Sequence, residues 1–196
     1  RVGGGPFYAA QALRALGRPG AIVCKCGAPD RPELLARVEE LGLPVRCLAG
    51  GSTTTFSFEV EGEERRLGVE ALGDPWTVDE AAGFVARALD GVEWLHVAPL
   101  LRSDFPAETL ERLARGRHLL LDGQGLVRVP ELGMLRLDGD YDPELLRFVA
   151  ILKLSQEEAN VLVGEELEPP ALLALGVREV VVTLGSCGSL VVAEGV

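Results

Sequence analysis

The strongest constraint on this chain is a rhythm. Short apolar runs ("AIVCKC", "WLHVAPLL", "HLLLDG", "AILKLS", "EVVVT") recur along it, mostly separated by enough residues for a helix. Runs that are apolar at consecutive positions fit strands buried on both faces, as in a parallel sheet covered by helices. Helical periodicity fills the gaps. In "PELLARVEELG", Leu34, Leu35, Val38 and Leu41 share one face and Gly42 supplies a stop. Further helices are expected over 8–16 and 106–115, and over "DPELLRFVA", with Asp142 as N-cap and Pro143 at the first helical position. Crossovers of this length join parallel strands, so the expected class is a doubly wound α/β sheet.

One segment breaks the rhythm. In "TTTFSFEVEGEERRLGVE", Phe56, Phe58 and Val60 alternate with polar residues, a Glu-Gly turn follows, and a second polar strand returns. That pattern is a half-exposed hairpin with one face to cover, a flap more than a core element. A length of 196 residues suits one substantial core, so the chain is expected to form a single α/β domain over 1–196 with a lid hairpin at about 52–70.

Charge narrows the partners. The formal net charge is −11 and no basic run occurs, which argues against nucleic acid or an anionic membrane as the main partner. No apolar run approaches the length of a membrane span and no signal peptide opens the chain, so a cytoplasmic location is expected. Cys24, Cys26, Cys47 and Cys187 form no zinc-type spacing with a nearby His, and reduced, mostly buried thiols are expected.

Several short motifs carry chemistry. Three glycines, Gly3 to Gly5, run directly into a helix, an arrangement that offers backbone N–H groups to an anion. Neither familiar phosphate spelling is met, because the third glycine of a dinucleotide fingerprint would be Tyr8 and no Gly-Lys-Ser/Thr follows. Ser155 and Glu158 spell a capping box, as do Thr77 and Glu80. "TLGSCGS" lies at the carboxyl end of a valine run, where open α/β sheets bind ligands, although it also reads as an ordinary hairpin turn. Asp122 and Gln124 follow a strand and face the same edge, Gln124 being either a sugar contact or a solvated turn residue. Lys153, one of two lysines, is either a phosphate neighbour or a snorkelling surface residue. His96 and His118 have no Ser or Cys partner at a recognisable spacing and read as core or strand-end residues.

Three of these stretches together resemble the ribokinase-like (PfkB) carbohydrate kinases. "GGGPFYAAQALRALG" is similar to their Gly-Gly pair, short apolar stretch and helix ending in Leu-Gly. "LKLSQEEANVLVG" is similar to their strand–helix junction with an Asn-x-x-Glu motif, and "VVVTLGSCGSLVV" to the strand and turn on which they lay ATP. Order and spacing agree, and the hairpin falls where such kinases place lid strands. The resemblance implies a ribokinase-like three-layer α/β/α fold, doubly wound around a mostly parallel sheet with a small β-hairpin lid. It implies ATP and Mg²⁺ as cofactors. Gly3 and Gly4 would lie in the substrate site, where the missing Cβ lets a hydroxylated ring approach the backbone. Tyr8, where many members carry Asn, would be a further substrate contact. Thr183, Gly185 and Gly188 would contact the nucleotide. Glu158 would organise Mg²⁺ and its waters, or serve only as a cap; the family's Asn is Ser155 here. A homodimer through the lid strands is also implied.

The family's Gly-Ala-Gly-Asp stretch, whose amides form an anion hole and whose Asp is the general base, has no match in residues 1–196. Its first strand, with a substrate-binding Asp, has none either. The chain is therefore expected to be the middle of such a kinase, without its catalytic Asp. The expected function is ATP-dependent phosphorylation of a hydroxyl on a sugar or sugar-like polyol, with inositol or nucleoside acceptors included. The competing class is a kinase-like protein that binds nucleotide or sugar without transfer. A dehydrogenase ranks third because its glycine fingerprint fails.

Overall fold

A computed structural model describes residues 4–61 and 64–195. Gly3, and Gly62 and Glu63 at the turn of the hairpin, lie outside the described residues. The chain divides into two compact units, one of Arg1–Pro75, Gly83–Asp90 and Glu131–Leu135, the other of Trp76–Ala82, Gly91–Pro130 and Arg136–Val196.

In the first unit, α1 (Gly5–Ala15) and α2 (Arg31–Glu39) accompany the parallel pair β1 (Ile22–Gly27) and β2 (Val45–Gly50). Helix α1 begins three residues before the expected start, because Gly4 at φ 96° caps it and Pro6 sits in the first turn, where a missing N–H costs nothing. Ala10, Ile22 and Leu41 are buried, and Phe7, Val38, Leu43 and Val45 pack against them. Gly42 ends the α2 segment at φ 72°, as its sequence position implies. The cysteines of β1 and β2 are free thiols, with Cys26 Sγ 3.4 Å from Cys47 Sγ. Burial pushes the Cys24 thiol up to about 12 and Cys26 up to about 11. Cys187 departs from the expectation of burial and is exposed.

The hairpin is β3 (Thr55–Glu61) paired antiparallel with β4 (Glu64–Ala71), close to the expected bounds. A third strand joins it: β7 (Gly133–Met134) pairs with β4 through Gly68 and Val69. One face is covered as the alternation implies, with Val69 at 1% exposure and Phe56 half-buried. Phe58, at 58% exposure, lies on the same face of the strand as Phe56. The short helix α4 (Ala86–Ala88) also belongs to this unit.

The second unit holds a five-stranded sheet in the order β10-β9-β8-β6-β5, formed by β5 (Trp94–Val97), β6 (His118–Asp122), β8 (Val149–Ser155), β9 (Glu179–Thr183) and β10 (Ser189–Ala193). All neighbouring pairs are parallel except β9 and β10, which form a hairpin. Leu119 and Leu121, Leu152 and Leu154, and Val180 and Val182 are 0–2% exposed, each such side chain contributing about 1.5–3 kcal/mol of burial. Around the sheet are α3 (Val78–Glu80), α5 (Ala107–Ala114), α6 (Gln124–Val127), α7 (Gln156–Val163) and α8 (Pro169–Leu173). Asp142 does cap the following segment, accepting from the Glu144 N–H, but Pro143–Phe148 is a 3₁₀-helix rather than an α-helix. The parallel order expected as one sheet is therefore divided between a two-stranded and a five-stranded sheet.

Candidate functional site

Parallel strands deliver their carboxyl ends to one edge. In the second unit, Asp122 ends β6 and is in register with Lys153 of β8, while Ser155 ends β8 in register with Thr183, the last residue of β9. Residues spaced far apart in the chain thus reach one rim, the place where open α/β sheets bind ligands.

Asp122 is 4% exposed, and a carboxylate that buried needs partners. It has two. His96 Nε2 lies 3.1 Å from its Oδ2, and Lys153 Nζ lies 4.0 Å from its Oδ1. His96, read from the sequence as a core or strand-end residue, is a partner of the buried acid with its side chain 30% exposed. Lys153 is held at the rim beside Asp122 rather than snorkelling over an apolar surface. The turn after β6 packs so tightly that only glycine fits. A Cβ on Gly123 would stand 2.3 Å from Leu154 Cδ2 and 3.1 Å from Glu158 Oε2, and one on Gly125 would stand 2.3 Å from Pro99 Cγ. Gln124 opens α6 directly behind this turn, and Arg128 follows its last residue. Burial pushes the Arg128 guanidinium below its usual range, while the carboxylates of Glu158, Glu157 and Asp122 act the other way. Arg128 therefore sits among the acids of the rim.

Helix α7 begins with the capping box read from the sequence. The Glu158 N–H donates to Ser155 Oγ at 3.2 Å, and the Ser155 N–H donates to Glu158 Oε2 at 2.8 Å. Glu158 is 4% exposed, so its carboxylate belongs to the interior of the rim rather than to a solvated helix face. The second spelling, at Thr77 and Glu80, forms the same reciprocal pair at α3. Among the described residues no group of three or more His, Cys, Asp or Glu could hold a metal ion by itself. A magnesium ion does not ask for one, since it is commonly bound through one or two carboxylates with waters and substrate phosphates.

Across from α7, the Thr183 hydroxyl donates to Leu154 O at 3.2 Å. Gly185 (φ 58°) and Gly188 (φ 94°) flank a 3₁₀ turn closed by the Leu184 N–H donating to Gly188 O at 2.8 Å. The turn reading of "GSCGS" thus describes its backbone. Thr183 and Gly185 also line an open pocket of about 750 Å³ with Ser155, Gln156, Glu157, Asn160, Val161 and Glu165. Asn160, the single asparagine, has a buried Oδ1 without a hydrogen-bond partner among the described residues. The structure therefore gathers Thr183, Gly185 and the Ser155 helix start around one cavity. Gly4 and Tyr8 lie in the first unit, where Tyr8 is 64% exposed and meets Phe7 edge-on at 5.7 Å.

No family model matches the sequence, and no curated protein does. Solved structures do match. A pyrophosphate-dependent kinase of the ribokinase family, complexed with a pyrophosphate analog and myo-inositol, aligns over 98% of this chain and 68% of its own with a TM-score of 0.81 and 24% identity. This chain has the ribokinase fold. A pyrophosphate-dependent myo-inositol-1 kinase converted into a myo-inositol-3 kinase aligns over 98% of this chain and 66% of its own, with a TM-score of 0.81 and 25% identity. Ribokinase from Arabidopsis thaliana, complexed with ribose and ATP, aligns over 95% and 62% with a TM-score of 0.64 and 20% identity. The ribokinase-like chain thus spans about two thirds of the length of these structures.

Proposed function

We propose that this chain belongs to a small-molecule kinase that transfers a phosphoryl group to a hydroxyl of a sugar or cyclic polyol. One observation carries the reading: Asp122 with His96 and Lys153, the buried Glu158 and the Thr183 turn converge on the carboxyl ends of β6, β8 and β9. Gly3, Gly4, Tyr8 and Gln124 are the proposed acceptor contacts. Thr183, Gly185 and Gly188 are the proposed donor contacts.

Phosphoryl transfer is mostly positioning and charge neutralisation. Lys153 and Arg128 supply positive charge at a rim that is otherwise acidic. Mg²⁺, held through water at Glu158, would neutralise charge on the phosphate oxygens. Glu158 turns one carboxylate oxygen toward the Ser155 N–H, which fixes the orientation of the group. We assign no general base within residues 1–196: Asp122 is committed to His96 and Lys153, and Glu158 to the helix cap. The β3–β4–β7 sheet is the proposed lid, and its apolar face, open at Phe58, is the proposed homodimer surface. No helix among the described residues is long and apolar enough to cross a membrane.

Two donors have support. ATP is favoured by the pocket beside Thr183, where the carboxylates of Glu157 and Glu165 repel a bare anion but accept from ribose hydroxyls or a base amino group. Pyrophosphate is favoured by the higher TM-scores of the pyrophosphate-dependent kinases. The test is a panel of sugars, inositols and nucleosides incubated with the complete gene product and either donor. Turnover of any acceptor supports the kinase; tight binding of acceptors without transfer moves the protein to the non-catalytic class.

A further inference from the structure

Helix α6 is four residues long, and so short a helix has no stability of its own. Its final carbonyls need partners from elsewhere. They find one in Arg102, on the loop between β5 and α5. Arg102 Nε donates to Leu126 O at 2.7 Å, Nη2 to Val127 O at 3.4 Å, and the Arg102 backbone N–H to Arg128 O at 3.0 Å. The same Nη2 donates to Asp138 O at 3.0 Å and to the Asp138 carboxylate, while the Asp138 N–H donates to Val127 O at 3.0 Å. The Arg102 side chain is 18% exposed and that of Asp138 43%, so the bonds to the α6 carbonyls are the sheltered part of the clamp and the Asp138 carboxylate stands at the surface.

The loop that bears Arg102 is itself rigid. Asp104 Oδ2 accepts from the Leu100 and Leu101 N–H groups at 2.7 and 3.2 Å, and Pro99 fills the space above Gly125. The carbonyls at the far end of α6 are thus held by this loop and by Asp138, and just beyond them the Val129 N–H donates to Arg136 O at 3.0 Å. At the near end of the same short helix is Gln124, and just past its far end is Arg128.

We propose that Arg102 is a positioning residue for the acceptor site. Its planar fork bridges consecutive carbonyls, which a point charge cannot do, and so sets where Gln124 stands relative to Asp122 and Glu158. The inference rests on reading Gln124 as an acceptor contact in a kinase. It gives Arg102 a task that no sequence motif announces.

The test compares Arg102→Met and Arg102→Lys with the parent in the complete gene product, using an acceptor found in the panel. Arg102→Met raises the acceptor KM at least tenfold while the donor KM stays within twofold, and Arg102→Lys recovers part of the loss. Equal changes in both KM values, or no change, overturn the proposal. Hydrogen exchange separates this from the kinase reading itself. If the parent turns over no acceptor, the functional reading fails on its own. The clamp is still decided by the amides of 124–128: exchange at least tenfold faster in Arg102→Met, with β8 and β9 unchanged, supports it, and unchanged or uniformly faster exchange sinks it.

Discussion

Glu158→Gln separates two roles that the geometry superimposes on one side chain. The carboxylate accepts the Ser155 N–H at 2.8 Å and is 4% exposed. Glutamine retains a carbonyl oxygen, and Gln serves at this position of capping boxes, so the bond survives without its charge. The stability lost is the difference between a charge-assisted and a neutral hydrogen bond, about 1 kcal/mol. For a chain of 196 residues that corresponds to a drop in Tm of roughly 2–4 °C. Turnover responds to a different quantity. If the carboxylate orders Mg²⁺ and its waters on the donor phosphates, losing its charge removes about 2.7 kcal/mol of transition-state stabilisation, which is about 100-fold in kcat. Differential scanning calorimetry and steady-state kinetics at saturating donor measure the two sides. A variant that melts a few degrees lower yet turns over within twofold of the parent would refute the metal role and leave only the cap.

Two more outcomes follow from packing and from charge. Gly123→Ala forces a methyl to within 2.3 Å of Leu154 Cδ2; because φ is −62°, alanine suffers no backbone strain, and the cost of about 1–3 kcal/mol is steric alone, visible as a lower urea midpoint. The Asp138 carboxyl is held below its usual range, first by the hydrogen bond from Arg102 and then by the Asp140 N–H. A depressed carboxylate contributes stability above its unfolded value of about 3.9 and loses it as pH falls through the lower folded value. Amide protection within 124–128, taken relative to the intrinsic exchange rate at each pH, therefore falls on acidification below about pH 4 in the parent, and Asp138→Asn flattens that response.

How much of this was legible in the sequence depends on the range of the interaction. The strands around Cys24, Leu120 and Val181, both capping boxes and the hairpin at Phe56 were readable, because period, caps and turns act over a few residues. The two-residue strand Gly133–Met134 was not, since so short a segment has no period and exists only by pairing with β4. The site was half readable. Glu158, Thr183 and Gly185 carried local motifs. His96 and Lys153 gained meaning only when β5, β6 and β8 aligned them on Asp122. Asn160 offered a faint signal as the single asparagine, four residues before the glycine that ends α7. Arg102 offered none, because its partners lie 24 to 36 residues away.

The central claim is that a phosphoryl group moves to an acceptor hydroxyl. The most direct measurement is ³¹P NMR of the complete gene product incubated with Mg²⁺, a mixture of sugars and inositols, and either ATP or pyrophosphate. The account predicts a new phosphomonoester resonance that appears with one donor and one or a few acceptors and is lost when the acceptors are omitted. Donor consumed only to inorganic phosphate, or not consumed at all with every acceptor, would contradict it.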